Sequence, residues 1–190
     1  MKLVILDRDG TINVDSDEFI KSPEEWTPLP GALEAIARLN HAGWHAVIAS
    51  NQSGLGRGLF DVASLNAMHA KMHKLLAVQG GRIDAVFYCP HSPDEGCICR
   101  KPLPGLFELI GERFGVELKG TPVVGDGLRD LQAGALVGCE PHLVLTGKGA
   151  AFRGRPLPET FPPGTKVHED LAAFADFMLE RSARSAPGAL

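Results

Sequence analysis

The sequence of 190 residues contains no run of 18 apolar residues and no internal repeat. The first absence excludes a conventional membrane-spanning helix, and the second leaves no repeat architecture to consider. The opening MKLVILDRDG turns acidic at residue 7. It lacks the apolar stretch and small-residue cleavage site of a secretory signal. Positive charge is also scarce. Nineteen Lys and Arg stand against 23 Asp and Glu, which leaves a formal charge of −4 and a pI near 6.0. Basic and aromatic residues are not interleaved. That balance argues against nucleic acid and anionic membranes as partners. Cysteine is sparse, four in all. Without a secretory signal the expected compartment is the cytoplasm, where thiols stay reduced. Clustered cysteines there suggest a metal ahead of a disulfide.

What is present fits one folded domain. The chain is 44% apolar and 22% charged, with enough length to bury a core. Apolar β-branched runs at 2–7, 44–50, 83–89, 121–126 and 142–147 predict strands. Helical periodicity at 31–43, 61–81, 104–115, 128–138 and 170–182 predicts the helices between and after them. Segment 147–165 reads as a Gly/Pro-rich loop and 183–190 as a disordered tail. This alternation predicts an α/β fold, a Rossmann-like parallel sheet with helices on both faces. Ligands in such sheets sit beyond the carboxyl ends of the strands.

The informative residues follow strands. Asp7 and Asp9 leave the first in LDRDGTIN. Two carboxylates there can hold a hard cation, or one can attack phosphorus while the other handles a proton. A calcium loop counted from Asp7 fails, because its sixth position needs Gly and holds Ile12. The second strand runs into SNQSGLGRG, where Ser50, Asn51, Gln52 and Ser53 offer small polar donors before a glycine-rich turn suited to an anion. The glycine spacing does not fit a dinucleotide fingerprint. Asp126 and Asp130 follow the fourth strand in VVGDGLRD. Asp126 could cap the next helix. With the fourth strand beside the first, it could instead complete a magnesium site with Asp7 and Asp9.

DRDGTIN, Ser50-Asn51, Lys101 and GDGLRD, in that order, resemble the four motifs of the haloacid dehalogenase (HAD) superfamily of phosphatases. The Cys-x-His…Cys-x-Cys insert before the lysine is similar to the heptose 1,7-bisphosphate 7-phosphatase and histidinol-phosphatase branch. The resemblance spans roughly residues 1–178. It implies Asp7 as the nucleophile, forming an aspartyl-phosphate, and Asp9 as general acid and then general base. It implies Mg²⁺ held by the Asp7 carboxylate, the Asp9 backbone carbonyl and Asp126. Ser50 and Lys101 would hold phosphoryl oxygens, and Asp130 would support Lys101 or a metal-bound water. Arg100 and the loop Asp15-Ser16-Asp17-Glu18 would face the rest of a small phosphorylated sugar. Continuous stretches such as NQSGLGRG lean towards the heptose enzyme of lipopolysaccharide-core precursor synthesis, with histidinol phosphate as the alternative substrate. Gly127 is a departure, since some heptose phosphatases carry a larger polar residue there.

Cys89, His91, Cys97 and Cys99 form a Cys₃His set that matches structural zinc. Unpaired thiols or a redox switch are the other readings. Four protein ligands leave no open position, so zinc would mount Arg100 and Lys101 and take no part in catalysis. The expected molecule is one phosphatase domain over 1–182 with its zinc loop at 89–99, monomeric. The contrasting class is a non-catalytic zinc-loop binding module. Cys139 reads as a buried residue, and Trp26 and Trp44 as packing residues. Arg153 and Arg155 read as solvent-facing. His69 and His73, i and i+4 in HAKMH, lack a protease glutamate and read as an ordinary, partly exposed helix face.

Overall fold

The computed structural model describes residues 1–185. Its centre is a six-stranded, all-parallel sheet. The strands are β1 (Lys2–Leu6), β2 (Trp44–Asn51), β3 (Ala85–Cys89), β4 (Pro122–Gly125), β5 (Glu140–Val144) and β6 (Lys166–His168), in the order β3-β2-β1-β4-β5-β6. β1 is central. Leu3 to Leu6 are all buried, which is why this strand reads as an unbroken apolar run and not as an alternating one.

Helices cover both faces. α1 (Ala32–His41), α3 (Val62–Val78) and α6 (Leu171–Ser185) pack on the face that carries Val4, Leu6 and Ile48. α4 (Gly105–Phe114) and α5 (Leu128–Leu136) cover the face that carries Leu3, Ile5 and Val47. A single turn, α2 (Ser53–Gly56), follows β2. The starts and stops have local causes. The Asp61 carboxylate accepts from the Ser64 N–H at 2.8 Å and caps α3. Gly115 ends α4 in the left-handed region at φ 63°.

The five predicted strands and five predicted helices are present, with ends shifted by a few residues. Three features differ. β6 pairs with β5 from His142↔Lys166 to Val144↔His168. It has three residues at a sheet edge, too few to show a period. The loop at 147–165 contains a 3₁₀ segment, Gly147–Phe152. α6 runs on to Ser185, so residues 183–185 of the expected tail are helical; 186–190 lie outside the described residues. No helix among the described residues is long and apolar enough to cross a membrane.

Register positions the site. Leu6 pairs with Ile48 on one side and Val124 on the other. The chain therefore leaves β1 and β4 at nearly one level, while β2 runs three residues further, to Asn51. Connections depart in opposite directions from β1 and β4, so this is the crevice where doubly wound sheets bind ligands.

Candidate active site and metal clusters

Asp7 is the first residue past β1, and its N–H still bonds to the Val124 carbonyl at 2.9 Å. Its carboxylate meets the Lys101 ammonium, Oδ1 to Nζ, at 2.8 Å. Lys101 also reaches Asp130 Oδ1 at 2.6 Å and the Ala49 carbonyl at 2.7 Å, which uses all three of its N–H donors. It is 2% exposed. Burial alone would push its pKa down; Asp130 and Asp7 outweigh that and hold it above the ordinary lysine value. Lys101 is thus a fixed cation in a low-dielectric floor.

Asp126 sits opposite. Its carboxylate accepts from the Lys148 N–H at 2.8 Å and is wedged between Gly10 and Gly147. Both glycines have positive φ, 82° and 52°, and a Cβ on either would strike the Asp126 carboxylate. Only glycine satisfies both demands. Oxygens of Asp7, Asp126 and Asp130 lie within 4.8 Å of one another. Burial, then Asp130, raises Asp126 from 3.8 to about 7, and the same causes lift Asp7 well above its usual range. Three crowded carboxylates with one lysine leave excess negative charge. A hard divalent cation suits that donor set, so the residues present fit magnesium.

Asp9 is held from behind. Its Oδ1 accepts from Arg8 Nε at 2.9 Å, Arg8 Nη2 at 2.8 Å and Asn13 Nδ2 at 2.9 Å. Its Oδ2 accepts from Gln52 Nε2 at 3.1 Å.

A cleft of about 530 Å³ opens over these groups. It is lined by Asp7, Asp9, Lys101, Asp126 and Asp130, by Asp15, Ser16 and Asp17, and by Arg57, Arg100 and Arg129. Asp15 is pushed upward by burial. Arg100 keeps Nη1 buried without a hydrogen-bond partner. Burial, then the neighbouring charges of Arg129 and Arg57, lowers its pKa.

Other expected contacts sit differently. Glu18 is exposed and absent from the cleft lining, while Gln52 and Ser53 belong to it. Ser50 is 1% exposed; its hydroxyl accepts from Gln52 Nε2 at 2.8 Å, and it does not line the cleft. Asn51 lines it, but its amide is spent on the Lys101 backbone. Nδ2 donates to the carbonyl at 3.1 Å, and Oδ1 accepts from the N–H at 3.0 Å. His69 is not on an exposed face. It is 8% exposed and meets Arg8 Nη1 at 3.2 Å.

Beside the cleft, Cys89, His91, Cys97 and Cys99 converge. Separations are 3.1 Å for Cys89–Cys99, 3.6 Å for Cys89–Cys97, 3.2 Å for His91 Nδ1–Cys99 and 3.4 Å for Cys89–His91 Nδ1. These exceed a disulfide bond, about 2.05 Å, and all four cysteines are free. Burial holds Cys89 up at about 12 and raises Cys99. Cys97 is held down at about 7, because donors from Arg100 and the neighbouring thiols outweigh its burial. Cys139 lies apart and buried.

Sequence reasoning missed Arg8, His69 and Lys148. Arg8 is screened by its position inside the motif, between two acids. His69 carried a usable signal: it lies four residues after Leu65 and next to Met68, both fully buried, so it borders the core face of α3. Lys148 acts through its backbone, which no side-chain pattern reveals.

A doubly wound parallel sheet with paired aspartates after β1, a buried lysine and a third acid after β4 defines the hydrolase class of the HAD superfamily. The HAD-hydrolase-like family matches residues 98–174, and the polynucleotide kinase 3 phosphatase family matches residues 2–127. The D-glycero-β-D-manno-heptose-1,7-bisphosphate 7-phosphatase of Bordetella bronchiseptica is 59% identical over 96% of this chain and 100% of its own. That of Pseudomonas aeruginosa is 53% identical over 94% and 98%. The crystal structure of D,D-heptose 1,7-bisphosphate phosphatase from B. bronchiseptica, complexed with magnesium and phosphate, superposes with a TM-score of 0.91. It is 58% identical and covers 95% of this chain and 99% of that one. The chain belongs to the D-glycero-D-manno-heptose-1,7-bisphosphate 7-phosphatase family of the HAD superfamily.

Proposed function

We propose that this protein is a magnesium-dependent phosphomonoesterase that removes the 7-phosphate of D-glycero-D-manno-heptose 1,7-bisphosphate, in supply of the lipopolysaccharide core. The observation that carries the proposal is the convergence of Asp7, Lys101, Asp126 and Asp130 under the cleft. Asp7 attacks phosphorus, and the bond from phosphorus to the sugar oxygen breaks. A proton from Asp9 passes to that oxygen, giving the alcohol and an aspartyl-phosphate on Asp7. Asp9, now a carboxylate, takes a proton from the water that attacks the phosphorus. The Asp7–phosphorus bond then breaks and inorganic phosphate leaves. Magnesium, when bound by the Asp7 and Asp126 carboxylates and the Asp9 carbonyl, supplies the positive charge that lets an anion approach a phosphate dianion. Lys101 adds a fixed charge that needs no reorganisation.

Substrate choice rests on the cleft walls. Asp15, Ser16 and Asp17 suit sugar hydroxyls. Arg57, Arg100 and Arg129 suit the phosphate that stays on the sugar, and the free Nη1 of Arg100 supports this. A bisphosphate uses both walls, whereas histidinol phosphate would leave the arginines unpaired. We take the β-anomer as substrate because the relatives above carry that name.

The Cys₃His cluster is proposed to hold one structural zinc. For Zn–S bonds of about 2.3 Å, tetrahedral ligands lie about 3.8 Å apart, close to the 3.6 Å of Cys89–Cys97 and wider than the 3.1 Å of Cys89–Cys99. Thiols kept free suit the cytoplasm. We take residues 1–182 as one catalytic domain, working as a monomer.

The test is phosphate release from both heptose bisphosphate anomers, histidinol phosphate and a 3′-phosphorylated oligonucleotide, with and without magnesium. Magnesium-dependent preference for the β-bisphosphate is expected. Equal or better turnover of the oligonucleotide would refute the substrate assignment, and no turnover of any ester would refute the enzyme reading.

A further inference from the structure

Arg8 separates Asp7 from Asp9 and is fully buried. Its guanidinium is engaged on three sides. Nε and Nη2 grip Asp9 Oδ1, Nη2 also faces Gln52 Oε1 at 3.4 Å, and Nη1 points at His69 Nε2 at 3.2 Å. A guanidinium only donates. Nε2 of His69 is therefore the acceptor, and the ring is neutral with its proton on Nδ1. Burial, then the Arg8 charge, holds His69 down at about 4. α3 thus carries an obligate acceptor to the far end of Arg8.

The two oxygens of Asp9 are consequently unlike. Oδ1 receives three donors, Arg8 Nε, Arg8 Nη2 and Asn13 Nδ2, all within 2.9 Å. Its lone pairs are filled. Oδ2 receives only Gln52 Nε2, at 3.1 Å, and that group is shared with Ser50 Oγ at 2.8 Å. A proton on Oδ1 would displace a charged donor, whereas a proton on Oδ2 displaces none.

We infer that Arg8 and His69 are positioning residues that fix Asp9 Oδ2 as the oxygen that delivers and retrieves the transferred proton. The inference rests on the phosphatase reading above. His69 holds Nη1, so the Nε/Nη2 edge stays on Oδ1 and the carboxyl cannot turn over to present Oδ1 to the leaving oxygen. When the phosphorus–oxygen bond breaks, its electron pair stays on the leaving oxygen. The proton from Oδ2 completes the alcohol, and Asp9 remains as the carboxylate.

Leaving groups separate this role from plain packing. An alkoxide needs that proton, while p-nitrophenolate leaves well without one. His69→Gln can present an oxygen at about the reach of Nε2; His69→Asn is too short. Both are polar and smaller than histidine, and melting curves check that each folds. On the heptose bisphosphate, His69→Asn is expected to lower kcat about 10- to 100-fold, within the range for general acid–base groups, with KM little changed. In the first turnover, where p-nitrophenolate departs before the water step that both esters share, the same variant is expected to lose under about 3-fold in the rate of p-nitrophenolate release from p-nitrophenyl phosphate, and His69→Gln to keep most of the wild-type kcat on the sugar. Arg8→Lys keeps the charge but loses the fork, and it should show the same ester-dependent loss. Equal first-turnover losses in alcohol and p-nitrophenolate release, equal effects of Gln and Asn, or full activity of His69→Asn would overturn the inference. Wild-type protein inactive on the sugar would instead overturn the phosphatase reading and this inference with it. The Gln/Asn contrast stands on the sugar ester alone.

Discussion

Replacing Asp126 by Asn tests the electrostatics of the site without any substrate. In the folded protein Asp126 is raised from 3.8 to about 7, first by burial and then by Asp130. A carboxyl raised on folding contributes its full stability below its unfolded value, near pH 4. That contribution is lost as pH climbs through the folded value near 7. A rise of about three pKa units corresponds to on the order of 4 kcal/mol lost by alkaline pH. For a chain of this size each kcal/mol moves the melting temperature roughly 2–4 °C. About two of those three units lie above pH 5, so without divalent metal the wild type should melt roughly 5–10 °C lower at pH 8 than at pH 5. Asn has the same shape and keeps an oxygen for the Lys148 N–H, but it carries no charge. Asp126→Asn should lie within a few degrees of the wild type near pH 5, and its advantage should grow by several degrees by pH 8. Asp7, raised by the same causes, should leave a residual slope. Magnesium binds the ionised carboxylates, so millimolar metal should raise the wild-type melting temperature at pH 8 and leave the variant nearly unmoved. The assay is a set of thermal melts from pH 5 to 8 in resin-stripped buffer, with and without magnesium. No chelator is added, so the cysteine cluster is left alone. A variant that melts below the wild type at pH 8 without metal would refute the reasoning, as would one that keeps the full magnesium shift.

Three further changes separate the roles of the remaining groups. Asp7→Asn should abolish turnover while the protein stays folded, because an amide is no nucleophile; phosphate release above background from a clean preparation would remove Asp7 from that role. Asp9→Asn should cost about 10²- to 10⁴-fold in kcat while magnesium still shifts the melting temperature, and a near-normal rate would exclude Asp9 as the acid. Cys97→Ser with Cys99→Ser should lower a zinc content of about one per chain and raise KM, with magnesium still required. Activity restored by zinc alone would make zinc the reacting ion.

The parts legible in the sequence were those with a strong local cause. β1 is a run of buried aliphatics and could only be a central strand, so Asp7 had to sit at its carboxyl end. Asp126 follows the equally apolar VVG of β4, and the β1–β4 pairing brings the two together. The four zinc-ligand candidates fall within eleven residues, and short chain separation nearly guarantees their meeting. Illegible parts depended on contacts distant in the chain. His69 reads as one polar residue in a helix until α3 is docked against the turn after β1. Ser50 and Asn51 read as donors for an anion, yet their neighbours Gln52 and Lys101 use those side chains. Burial of a full charge at Arg8 contradicts composition rules, and only the pairing with Asp9 and His69 explains it.

The Asn51 clamp also changes what the cysteine cluster has to do. Lys101 is tied at its backbone by both polar atoms of Asn51, and its ammonium is tied by Asp7, Asp130 and the Ala49 carbonyl. All of these anchors belong to the sheet ends and α5, not to the cluster. Lys101 would therefore hold its place even if residues 89–99 loosened. Arg100 has no such ties. It follows directly after Cys99, its Nη1 is unpartnered, and like charges at Arg57 and Arg129 press against it. A repelled arginine stays in a cleft only if its backbone is fixed from the other side, and Cys99 is the adjacent fixed point. On the proposed function the basic pair is divided: the sheet holds the lysine that faces Asp7, and the Cys₃His loop would hold the arginine proposed to face the rest of the substrate. This division is why loss of the cluster should appear in KM and leave kcat largely intact.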